Sequence, residues 1–165
     1  MILNEMIDLQ KILDYKILSE RELDSQETMP DRLLALYVEI GECANEWRGF
    51  KYWSDDQEAR RPKMLEEYVD NTHFIVSVGN HYGYIESDKN YEPTPFHENI
   101  SVTNQFLDIF LCLTELISYP RKEVFEELLL RFLALGKMVN FSENQILAAY
   151  RKKNEVNHTR QETNY

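Results

Sequence analysis

Two short acidic signatures, Glu39-Ile-Gly-Glu42 and Glu67-Tyr-Val-Asp70, constrain this chain more than any other stretch. In each, the acids stand three residues apart, so on a helix both project from one face. Packing two such helices face to face gathers four anions, which repel unless a cation lies between them. Hard divalent ions such as Mg²⁺ prefer oxygen ligands of this kind. The pattern predicts a helical fold around a Mg²⁺ site, and chemistry on phosphate.

The rest of the chain supplies the helices. Only five Gly and five Pro occur in 165 residues, which leaves room for long uninterrupted segments. Residues 1–19 form an amphipathic pattern through Ile2, Met6, Leu9, Ile12 and Leu13. A polar linker covers 22–30. A second helix runs from an N-cap at Asp31 to about residue 47, with Leu33, Leu36, Tyr37, Ile40 and Ala44 as its apolar face. Pro62 suits the first turn of a third helix, which reaches about Gly79 or beyond. A loop with Pro93 and Pro95 covers 87–98. A fourth helix spans 102–118 and is stopped by Pro120, and a fifth spans 122–138. Ser142-Glu-Asn-Gln145 has the form of a capping box and opens a sixth, from about 143 to 157. With no strand pattern and no repeat, the expectation is one all-α domain over 1–165, a bundle of about six helices.

An isolated acid pair on an amphipathic helix is ordinarily a solvated face. Three details argue otherwise. Gly41 stands between Glu39 and Glu42, where glycine costs about 1 kcal/mol relative to alanine, as if something approached closely there. The acids adjoin apolar positions such as Tyr37, Val38, Tyr68 and Val69. No lysine stands four residues on to neutralise them: positions 43, 46, 71 and 74 are Cys, Glu, Asn and Phe.

Residues 150–165 carry Arg151, Lys152, Lys153 and Arg160 against Glu155 and Glu162, a local balance of +2 in a chain of −11. On a helix Lys153, Asn157 and Arg160 share a face, with Asn154 and Gln161 beside them. Lysine and arginine contact phosphate, while Asn and Gln carry the paired donors and acceptors that read a base edge. Most chain ends of this polarity are frayed, so chemistry alone leaves both readings open.

Family resemblance separates them. The two acid pairs on successive helices resemble the all-α nucleoside triphosphate pyrophosphohydrolases, which include MazG-like proteins and the dimeric dUTPases. The stretch Glu39 to Ser54, ending Phe50-Lys-Tyr-Trp53-Ser, looks like the dimeric dUTPases in particular. So does Leu65-Glu-Glu-Tyr-Val-Asp-Asn-Thr-His-Phe74, although Asn71 stands where Gly is more usual. Lys153-Asn-x-x-Asn157-x-x-Arg160-Gln-x-x-x-Tyr165 is similar to that family's closing motif, with Asn164 in place of a Gly. The likeness runs from Leu9-Gln10 to Tyr165 and is weakest over 82–123.

The resemblance implies a dUTP diphosphatase that releases dUMP and pyrophosphate and also acts on dUDP. It implies two or more Mg²⁺ on Glu39, Glu42, Glu67 and Asp70, with a glutamate of the first pair, Glu42 before Glu39, as the base. Lys153 and Arg160 would hold phosphates, with Lys51 a further candidate. Gln10, Asn157, Trp53 and Phe74 would recognise the deoxyuridine, and Asn154 and Gln161 complete the implied substrate set. His73 is either a satisfied core histidine or a further contact. A homodimer is implied with the family. Two alternatives stand beside this reading: a MazG-like enzyme for another nucleotide, and a non-catalytic helical interaction protein.

Composition bounds the partners. A net charge of −11 argues against nucleic acid, whose phosphates select basic surfaces. The longest apolar stretch, near 106–117, is interrupted by Asp108 and Glu115, so no membrane span is expected. Acids in the first residues, where a secretory signal carries basic ones, and only two cysteines at no metal-binding spacing point to the cytoplasm and to free thiols.

Overall fold

The computed structural model describes residues 1–163 and contains α1 (Asn4–Glu20), α2 (Met29–Trp47), α3 (Arg61–Tyr82), α4 (Val102–Ser118), α5 (Lys122–Met138) and α6 (Glu143–Glu162). The all-α expectation of six helices is met. The only strand-like pairing among the described residues is an isolated bridge between Ile2 and Asn90. Asn164 and Tyr165, the end of the closing motif, lie outside the described residues.

α3 is the axis of the bundle and packs against α1, α2, α5 and α6, while α4 lies on α2 and α5. Its burial on several sides explains why its sequence lacks a clean amphipathic stripe. Met64, Tyr68, Val69, Ile75, Val76 and Val78 are buried, and so are the polar Asn71, Thr72, His73 and Ser77. Asn71 Nδ2 and the Thr72 hydroxyl donate to the backbone carbonyls one turn earlier, at 2.8 and 2.9 Å, which leaves the buried Asn71 Oδ1 without a partner. The Tyr68 ring stacks on Phe132 at 4.4 Å, and a Cβ at Gly136 would lie 2.5 Å from the Tyr68 hydroxyl, so α5 approaches closely only because that residue is glycine. Each fully buried Leu, Ile or Phe of this core contributes about 1.5–3 kcal/mol relative to exposure.

Two boundaries differ from the sequence reading, the start of α2 and the end of α6. α2 begins at Met29 with Thr28 at its N-cap, so Asp31 sits in the first turn rather than capping. Pro30 can occupy the helix start because its missing N–H would have no partner there. α3 runs on past Gly79, within the expected range, to a left-handed cap at Gly83. α6 continues five residues past Asn157, so Arg160 and Gln161 are helical. The extension is tied to α1: Lys16 Nζ meets Glu162 at 3.0 Å, and Arg21 donates to Gln161 at 3.3 Å. The capping box at Ser142 and Gln145 forms as expected.

Gly41 faces open space. A Cβ built there meets nothing within 4 Å, so no element of this chain needs that position small. Cys43 and Cys112 are free and buried, and burial pushes the Cys112 thiol up to about 12. Among the described residues, no helix is long and apolar enough to cross a membrane.

Candidate active site

α2 and α3 bring three of the four acids together. One oxygen from each of Glu39, Glu67 and Asp70 lies within 4.8 Å of the other two. Two oxygens on one octahedral Mg²⁺ are about 3–4 Å apart, so small side-chain rotations reach chelating geometry. Glu39 Oε2 is buried with no hydrogen-bond partner, the state of an oxygen shaped to receive a cation. Burial, reinforced by the charges of Asp70, Glu42 and Glu67, pushes the Glu39 carboxyl up to about 7. Burial also raises Asp70, against the pull of Lys153. The donor set is all carboxylate and therefore suits a hard divalent cation. Glu42 is solvent-exposed one turn beyond Glu39 and stands outside the three-oxygen cluster.

The cations that offset these acids come from places the i+4 test does not reach. Lys63, four residues before Glu67, puts its ammonium 2.8 Å from that carboxylate and 3.1 Å from Glu66. Lys153 of α6 lies 2.6 Å from Asp70 and 3.5 Å from Glu66.

Beside the cluster opens a cavity of about 470 Å³ between α1, α2, α3 and α6. That is within the usual range for sites of small ligands, roughly 300–1,000 Å³. Glu39 and Asp70 belong to both the cavity wall and the acidic cluster. Of the implied substrate residues, Gln10, Phe74, Lys153, Asn157 and Arg160 line it. Leu13, Asp14, Arg32, His73 and Ser77 line it as well, and the sequence reading assigned none of them but His73.

The far end of the cavity is a closed hydrogen-bond network. Gln10, 4% exposed, donates from Nε2 to Asp14 at 2.7 Å. Its Oε1 lies 2.7 Å from His73 Nδ1 and 2.9 Å from the Tyr150 hydroxyl. Because the amide nitrogen is committed to a carboxylate, Oε1 must accept, which makes His73 Nδ1 the protonated nitrogen. His73 Nε2 is then a buried acceptor with no partner. The ring stacks on Tyr150 at 3.8 Å, and burial, helped by the charge of Lys153, holds the imidazole neutral, its pKa down to about 3. Arg32 donates to Ser77 at 3.0 Å and lies 3.9 Å from Asp14, whose own carboxyl is raised by burial.

Four implied residues lie elsewhere. Lys51 donates to Asn45 at 2.6 Å, and Trp53, 65% exposed, leans edge-on against Phe50 and Tyr52. Both ride the turn after α2, which the buried Arg48 pins by donating to the Asp56 carbonyl and carboxylate at 2.6 and 2.8 Å. Asn154 is a buried residue of α6 with its Nδ2 unpartnered, and Gln161 accepts from Arg21.

Two acid pairs on packed helices, beside a cavity with cations on one wall and a polar far end, suit an all-α hydrolase of nucleotide phosphates. The model of the dUTPase family, in its dimeric all-α form, matches residues 2–165, and the chain belongs to that family. Its activity is dUTP diphosphatase. No curated protein matches the chain.

Proposed function

We propose that the chain hydrolyses dUTP to dUMP and pyrophosphate with two or more Mg²⁺ on Glu39, Glu42, Glu67 and Asp70, and that it accepts dUDP. The observation that carries this reading is the sharing of Glu39 and Asp70 between acidic cluster and cavity. A nucleotide lying in the cavity has its phosphates at the metal ligands. When bound, Mg²⁺ supplies charge neutralisation on the phosphate oxygens and a more acidic water. Of the two candidate bases, Glu39 lines the cavity and Glu42 does not. Lys153 and Arg160 reach the phosphates from α6.

At the other end, uracil presents one N–H between two carbonyls. His73 Nε2 is an acceptor that matches the N–H, and Asn157 supplies an amide for a carbonyl. Gln10 serves recognition by fixing the His73 tautomer. Phe74 walls the base, and Trp53 meets it only if the turn after α2 folds over the cavity. The family supports a homodimer as the working assembly.

The test is a substrate panel. With Mg²⁺, pyrophosphate release from dUTP should exceed that from dTTP and dCTP by orders of magnitude. Equal rates would favour the broader MazG-like activity. A non-catalytic module would show neither turnover nor thermal stabilisation by Mg²⁺ with a non-hydrolysable dUTP analogue.

A further inference from the structure

The contacts of Lys63 are poorly explained by helix stability. It stands in the first turn of α3, where a cation opposes the helix dipole. Its partner Glu67 is C-terminal to it, the less favourable order for an i,i+4 pair. Its side chain is 52% exposed, so an ordinary surface pair there would contribute little. Yet its ammonium sits on a carboxylate that is nearly buried, 6% exposed, in the acidic cluster.

Around Lys63 lies a second cavity of about 600 Å³, on the other side of Lys153 from the first. Lys63, Lys152, Lys153 and Arg160 line it, with Glu66 as the one carboxylate. Lys153 and Arg160 line both cavities, so the two adjoin at α6, and Lys63 and Lys153 link the second to the acidic cluster through Glu67 and Asp70. Glu66 holds the ammonium groups of Lys63 and Lys153 at 3.1 and 3.5 Å without itself being in the cluster.

We propose that Lys63 is a binding residue for the terminal phosphates of the substrate. It exchanges its contact with Glu67 for a phosphate oxygen when a divalent cation takes that carboxylate, and Glu66 keeps it beside the site during the exchange. The second cavity is then where the β,γ end of the nucleotide lies and where pyrophosphate departs. Four cationic side chains line that cavity against the single carboxylate of Glu66, and two of them, Lys63 and Lys153, are set free for phosphate when a cation takes Glu67 and Asp70. Glu66 is a positioning residue, acting through the two lysines. This inference rests on the dUTPase reading and on the metal site within it.

Exchange predicts two effects of opposite sign. Lys63→Met removes the competitor for Glu67, so Mg²⁺ affinity without nucleotide should rise roughly three- to tenfold by calorimetry. The same variant should bind α,β-imido-dUTP about tenfold more weakly at saturating Mg²⁺, with dUMP affinity unchanged. Lys63→Arg should restore analogue binding, and Lys122→Ala, a distant surface pair with Glu86, should alter neither isotherm. Unchanged Mg²⁺ affinity in Lys63→Met, or equal loss of dUMP and analogue, overturns the proposal. Failure of the wild-type protein to prefer dUTP would instead strike the substrate assignment, which the metal isotherm does not use.

Discussion

Replacing Gln10 with glutamate probes the base end of the site with one atom. In the wild-type protein Gln10 Nε2 donates to Asp14 at 2.7 Å while Oε1 faces His73 and Tyr150. Gln10→Glu keeps the acceptor for His73 but sets a carboxylate against Asp14, already raised by burial. Two unit charges at that separation repel by about 6 kcal/mol at an effective dielectric of ~20. The pair avoids this by keeping one proton. Holding a proton on a glutamate of ordinary pKa ~4.3 costs about 5 kcal/mol at pH 8 and about 1 kcal/mol at pH 5. The pair's folded pKa is thus raised, so its stability is fully present below the unfolded value and lost as pH rises through the folded one. Urea unfolding should show the variant near wild type at pH 5 and about 3–5 kcal/mol less stable at pH 8, a melting shift on the order of 10 °C for a chain of this size. A deficit independent of pH between 5 and 8 would refute the Gln10–Asp14 contact and, with it, the tautomer assigned to His73.

Four further outcomes follow from the geometry. Gly41→Ala should stabilise the protein by about 0.5–1 kcal/mol in thermal unfolding, since the new methyl meets nothing within 4 Å; destabilisation would mean that another surface packs there. Gly136→Ala should cost about 1–3 kcal/mol by the same measurement, because its Cβ would crowd the buried Tyr68 hydroxyl at 2.5 Å. Lys153→Met should lower kcat/KM for dUTP by roughly 10- to 100-fold while the protein stays folded by circular dichroism, the loss expected of a charged phosphate contact. Mg²⁺ affinity should fall about eightfold from pH 7.5 to pH 6, because the cation competes with a proton on Glu39, whose carboxyl titrates at about 7; calorimetry at the two pH values reads this directly.

Local signals carried the helices a long way. Pro120 and the apolar spacing set the limits of α4 and α5, and Ser142 with Gln145 set the start of α6. The last turns of α6 were illegible because 158–162 are polar and have no apolar period. What extends them is contact with Lys16 and Arg21, some 140 residues away in sequence. The acid pairs were legible because their spacing is itself helical geometry. Their counter-charges were not: Lys63 precedes its partner instead of following it, and Lys153 comes from another helix. Asp14 was within reach of local reasoning, one turn from Gln10, whereas Arg32 and Ser77 join the cavity only through packing of α2 on α3. Trp53 and Lys51 illustrate the converse, since motif membership says nothing about where a turn rests.

The central claim is that the acidic cluster and the cavity form one site for a metal–nucleotide complex. Electron paramagnetic resonance of Mn²⁺, titrated into wild-type protein and into Asp70→Asn with and without α,β-imido-dUTP, tests it most directly. The account predicts that wild-type protein depletes the free Mn²⁺ signal, more strongly with the analogue, and that Asp70→Asn does so at least tenfold more weakly in both conditions. Equal Mn²⁺ affinity in the two proteins, or no effect of the analogue on wild type, would contradict it.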